Sequence, residues 1–182
     1  MFKRNKTLVT ITGQVTAKVF DADGNIKRAE PNLLQRMLGL PGSEMISVSH
    51  NIVTNEGDAL IADLHQETTE RTKLDESNAL ISVGTGFATE AKTVDALVTI
   101  TGSAEAMDTG YPQTKGAWAA ADDNVIVYVS TFEAGDLNAT GIDEALLGNG
   151  TDTMAYAEIS PAVDVSTSDT LEVTWEITFT GS

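Results

Sequence analysis

The sequence has no cysteine, only two histidines, few basic side chains and no long apolar run. Without cysteine there is no disulfide framework, no thiolate metal site and no cysteine nucleophile, and the redox compartment stays open. The histidines, His50 and His65, stand fifteen residues apart and read as surface or boundary residues. No stretch approaches the roughly 18 apolar residues that a membrane helix requires, so no membrane partner is expected. The start, "MFKRNKTLVTITGQ", is basic, but its apolar run is short and alternates with threonine. It reads as a strand and not as a signal peptide.

The shortage of basic charge is informative. The 182 residues carry a formal net charge of −16 and a pI near 4.2. Neutralising phosphates takes clustered lysine and arginine, so nucleic acid is not an expected partner. The charge is uneven along the chain. Residues 1–30 hold six basic side chains against three acidic ones, a net +3, which leaves about −19 on the rest. Such acidity keeps a surface soluble. A basic leading end on an acidic body also favours docking against a copy or a neighbour.

The length suits one domain over 1–182, with 1–6 as a basic arm and 31–48 as an insertion. Thr, Val, Ile, Ala and Gly dominate, and apolar residues recur with a period of two. Strands are expected over 7–20 (one long, or two around Gly13), 79–86, 124–135, 153–160 and 169–181. The stretch 24–30 is expected as the hairpin partner of the first, and 95–107 has strand character in its middle. In the last strand Leu171, Val173, Trp175, Ile177 and Phe179 share one face and Glu172, Thr174, Glu176 and Thr178 the other. Two short helices are predicted. One spans 30–42, with Leu33, Leu34, Met37 and Leu38; the other spans 56–67, capped by Thr54 or Asn55. Residues 66–78 read as an exposed polar loop, and 103–123 as a long irregular excursion carrying Tyr111 and Trp118. Many short strands and few helices predict a mainly β fold, an antiparallel β-sandwich of jelly-roll type.

Motifs with chemical meaning are scarce. "VFDADGNIKRAE" (19–30) offers Asp21, Asp23, Gly24, Ile26 and Glu30, part of a calcium-loop pattern. Val19 stands where the first ligand belongs, Lys27 occupies another ligand position, and the flanks alternate as strands. A turn is the better reading. "GTGFAT" (84–89) lacks the lysine and the helix of a phosphate loop. There is no Gly-x-Ser-x-Gly elbow. The pairs Asp122–Asp123 and Asp143–Glu144 sit beside Gly or Asn and read as exposed turns. No catalytic residue, metal ligand or cofactor site is assigned, and the chain is expected not to be an enzyme. Tyr111 and Trp118 are candidates for a protein interface, for capping the core, or for a sugar platform.

The order of segments says more than any single motif. "GQVTAKVFDADGNI" is followed by "HNIVTNEGDALIADL", "ISVGTG" and "STFEAGDLNATGIDEALLGNG", and the chain closes on "TMAYAEISPAVDVSTSDTLEVTWEITFTG". This series resembles a family of tailed-bacteriophage virion proteins over roughly 13–29 and 50–182. The family shows a D-x-D-G turn, an N-x-V-T-N-x-G helix start, a V-G-T-G strand, an E-A-L-L segment and a closing S-x-D-T-L-x-V-T-W-x-I-T-F strand. The resemblance implies a structural virion component more than a location within the virion, and the acidic, single-domain build favours a capsid decoration (cement) protein. The alternative is a neck, tail, baseplate or fibre-associated adaptor, with a glycan-binding loop as its sharper form. Implied partners are other virion proteins and the chain itself, as a homotrimer or another closed ring that covers sheet edges. The basic arm, with Lys3, Arg4 and Lys6, and the segment 31–48, with Leu33, Leu34, Met37 and Leu38, are the expected contact regions.

Overall fold

The computed structural model describes residues 9–66, 70–116 and 122–181. The expected sites Lys3, Arg4, Lys6 and Trp118 lie outside the described residues. The elements in chain order are β1 (Val9–Phe20), α1 (Leu33–Met37), β2 (Ile46–Val53), α2 (Asn55–Asp63), β3 (Leu80–Gly84) and β4 (Ile100–Ala106). They continue with β5 (Gln113–Thr114), β6 (Val125–Phe132), β7 (Ala139–Gly148), β8 (Thr153–Val165) and β9 (Thr170–Gly181).

The mainly β expectation holds, but the architecture differs from a two-sheet sandwich. All nine strands join one antiparallel sheet, in the order β4-β3-β7-β8-β2-β1-β9-β6-β5, curled into a half-barrel. Register shifts in β3–β4 and β7–β8 supply the curl, since each irregularity bends its strand and adds twist. A sheet bent this far encloses a core with its own concave face. Its two ends are tied together by the chain leaving β4. The Asp108 N–H donates to the Val129 carbonyl at 2.8 Å, and the Asp108 carboxylate accepts from the Thr131 N–H and hydroxyl.

The concave face follows from alternation. Tyr128 and Val15 stand opposite Trp175 from either side, and Phe132 and Val19 stand opposite Leu171. All of these are buried, Trp175 and Leu171 completely. The final strand is therefore as predicted, with Glu172, Thr174, Glu176 and Thr178 half-buried on the outside. β1 runs unbroken through Gly13, where the Asn51 side chain occupies the space of an absent Cβ.

β2 and β7 were not expected as strands. β2 carries its pattern inverted: Ser47, Ser49 and Asn51 share the concave face, while Val48 is 53% exposed on the convex one. β7 holds Asp143 and Glu144, so that pair is not an exposed turn. Glu144 is fully buried. The stretch 85–99 crosses the convex side of β3, β7 and β8 and covers it. There the Glu144 carboxylate accepts from the Val98 and Thr99 N–H groups at 3.0 Å each and from the Tyr156 hydroxyl at 2.6 Å. Phe87 stacks on Tyr156 with ring centroids 5.8 Å apart. The excursion 103–123 is more regular than expected, since β4 and β5 take part of it.

Candidate interaction surface

The hairpin-like segment between β1 and β2 is built by local chemistry. The Asp21 carboxylate accepts from the Asp23 and Asn25 N–H groups at 3.0 and 2.9 Å, and Gly24 takes φ +78°. Asp21 thereby closes an Asx-type turn, as the turn reading requires. The stretch 24–30 does not form a full hairpin strand. It makes only the bridges Phe20↔Ile26 and Arg28↔Glu44, because β2 takes the place beside β1.

Beyond these bridges the chain rises into α1, which is shorter than the predicted 30–42. Asn32 caps it: its Oδ1 accepts from the Gln35 N–H, and the Gln35 Oε1 accepts from the Asn32 N–H, both at 2.9 Å. The Arg36 Nε donates to the Pro31 carbonyl at 2.9 Å. Gly39, at φ +67°, ends the helix, and the Leu40 N–H donates to the Gln35 carbonyl at 2.8 Å. The base is tight as well. A Cβ on Gly42 would lie 1.6 Å from the Ala29 carbonyl oxygen, and Arg28 donates to the Gly42 carbonyl while pairing with Glu44.

The helix buries none of its apolar residues. Leu33 is 77% exposed, Leu34 65%, Met37 76%, Leu38 62% and Leu40 52%. Five large apolar side chains thus crowd the tip of one projection. A five-residue helix has little stability of its own, so the cap, the bridges and the Gly42 contact hold it. The tip gathers Leu33, Leu34, Met37 and Leu38, and brings in Leu40, which the sequence reading passed over. Tyr111 is separate: it is half-buried against the core near the β4–β6 seam.

A concave apolar feature lies at the other end of the strands. α2 starts at Thr54, whose Oγ1 accepts from the Gly57 N–H at 3.0 Å and donates to the Thr153 carbonyl. The helix lies hard on β8, since a Cβ on Gly57 would fall 2.2 Å from the Met154 carbonyl oxygen. Between α2, the 73–75 stretch and the ends of β6 and β9 lies a cavity of about 240 Å³. Its walls include Ile61, Leu64, Leu74, Ile126, Tyr128 and Phe179. Leu64 is 56% exposed at its rim, and burial raises the Tyr128 hydroxyl to about 12. A larger cleft of about 370 Å³ lies under the 85–99 stretch, between Val98, Leu146 and Thr153.

Among the described residues, chemistry-bearing groups do not converge. His50 is exposed on β2 and His65 lies just beyond α2. Among the described residues no group of three or more His, Asp or Glu is placed to hold a metal ion. Buried Asp63 accepts from the Arg71 and Glu70 N–H groups and from Gln66. Those backbone bonds, Arg71 first, hold its carboxyl below the ordinary value against the opposing effect of burial. Asp169 receives Lys27 at 2.5 Å and the Ser166 hydroxyl and N–H. Both carboxylates fasten loops. No family model matches the chain, and no curated protein or solved structure matches it either.

Proposed function

We propose that this protein is a non-enzymatic structural component of a tailed-phage virion. In this reading it is a capsid decoration protein that binds neighbouring virion proteins. The observation that carries the binding role is the apolar tip. Scattered exposed leucines are ordinary, but five large apolar side chains gathered on one projection support a protein-binding role. The ordered motifs over 13–29 and 50–182 supply the virion setting, and the acidic surface suits an add-on that stays soluble until it docks. A neck or tail adaptor would use the same tip and differ in copy number.

The test is binding of the purified chain to particles assembled without it. Leu34→Glu and Met37→Glu change exposed side chains that contact no core residue, so folding stability should move by no more than about 0.5 kcal/mol. Particle binding should fall at least about tenfold. Undiminished binding by the double variant would remove the tip from the account.

A further inference from the structure

The apolar cavity beside α2 has one hydroxyl in its wall, that of Tyr128 on β6. Tyr128 is 8% exposed. Its hydroxyl has no hydrogen-bond partner among the described residues, and burial alone pushes it up to about 12. The described polar side-chain atoms that are both closed off and unpartnered belong to Ser47, Asn51 and Trp175. The Tyr128 oxygen is not one of them, so it stays open to the space that its ring lines. A buried hydroxyl without a partner is unfavourable, and a ligand that supplies one removes that cost.

We infer that this cavity is a binding site for a small neutral alcohol or phenol, whose hydroxyl the Tyr128 hydroxyl recognises by a hydrogen bond. Volume sets the size of the ligand. A void of about 150 Å³ holds a benzene ring, so the 240 Å³ here takes one ring with a short substituent. Drug-sized ligands occupy pockets of about 300–1,000 Å³, so a larger molecule does not fit. The walls set its body. Leu60, Ile61, Leu74, Ile126, Met154 and Phe179 are apolar, and the Phe179 and Tyr128 rings suit an aromatic neighbour. Charge makes it neutral. The two charged residues of the lining, Lys73 and Asp75, cancel, and the Asp75 Oδ1 already accepts from the Ser77 N–H and the Asn78 amide. An ion would leave water for a site with no net counter-charge. The protonated phenol of Tyr128 both donates and accepts, so it meets a hydroxyl in either sense. Leu64, 56% exposed, stands on the solvent side of the cavity.

Benzyl alcohol and ethylbenzene test this, because they match in shape and differ in the hydroxyl. Methyl NMR titrations of the full chain follow both probes. Benzyl alcohol should shift the methyl signals of Ile61, Leu64, Leu74 and Ile126 saturably, with a Kd of about 1 mM or tighter. Tyr128→Phe keeps the ring and removes the hydroxyl. It should weaken benzyl alcohol about three- to tenfold, as the loss of one hydrogen bond does, and leave ethylbenzene within about twofold. The absence of saturable shifts with either probe would overturn the inference. So would shifts centred on Val98 and Leu146 in the other cleft. A Tyr128→Phe chain that binds benzyl alcohol as the wild type does, or that loses both probes equally, would overturn recognition by the hydroxyl.

Discussion

Single residues anchor the convex layer of this fold. Two backbone N–H groups and the Tyr156 hydroxyl hold the Glu144 carboxylate. Removing the hydroxyl takes one of the two donors from Oε2 and leaves each carboxylate oxygen with a single backbone N–H. Tyr156→Phe should therefore cost about 1.5–3 kcal/mol in urea denaturation, the range for a hydrogen bond to a charged group. An unchanged midpoint would mean that the Tyr156 hydroxyl adds nothing net to the hold of the Val98 and Thr99 N–H groups on Glu144. Asp63 makes a pH prediction. Its folded-state value is lowered from the ordinary 3.8, so its stabilising contribution is complete above that value and is lost as pH falls through the lower one. The wild type should lose thermal stability below about pH 4. Asp63→Asn should be less stable at neutral pH and lose less on further acidification. Parallel melting curves for the two proteins between pH 3 and 7 would contradict this. Neither residue was marked in the sequence, because a carboxylate satisfied by backbone N–H groups leaves no spacing motif.

Elements were legible where burial obeys alternation. β9 reads cleanly because each inward position is apolar and each outward one polar. β2 does not, because Ser47, Ser49 and Asn51 face the core while Val48 faces out, an inversion of the expected pattern. The Ser47 hydroxyl and the Asn51 amide are buried without a hydrogen-bond partner among the described residues. β7 was hidden by its Asp143–Glu144 pair, which polarity assigns to a turn and the covering 85–99 stretch makes a strand. α1 was legible as a helix but not in its length, since Gly39 ends it after the capping box opens it. Its leucines were legible as a candidate surface because a stripe between two prolines has no neighbouring element to pack on. The tip depends on its base. Gly42→Ala would force a Cβ into the Ala29 carbonyl. It should loosen 28–44 and leave the half-barrel intact. Amide hydrogen exchange should show faster exchange at Ala29, Arg36 and Leu40 with core protection unchanged; uniform loss of protection would instead make the tip part of the folding core.

At the scale of the molecule, composition pointed to β structure but not to the number of sheets. A run of strands and turns is compatible with two facing sheets or one curled sheet, and the bulges that decide between them leave no clear mark in the residues. The half-barrel places the apolar tip at one end and the apolar cavity at the other. That arrangement suits a molecule that presents surfaces to neighbours. The most direct measurement is the copy number of this chain in purified particles, by quantitative mass spectrometry against the major capsid protein. The account predicts a ratio comparable to that of the capsid protein, as decoration requires. A few copies per particle would move the chain to the neck or tail, and its absence from particles would contradict the structural role.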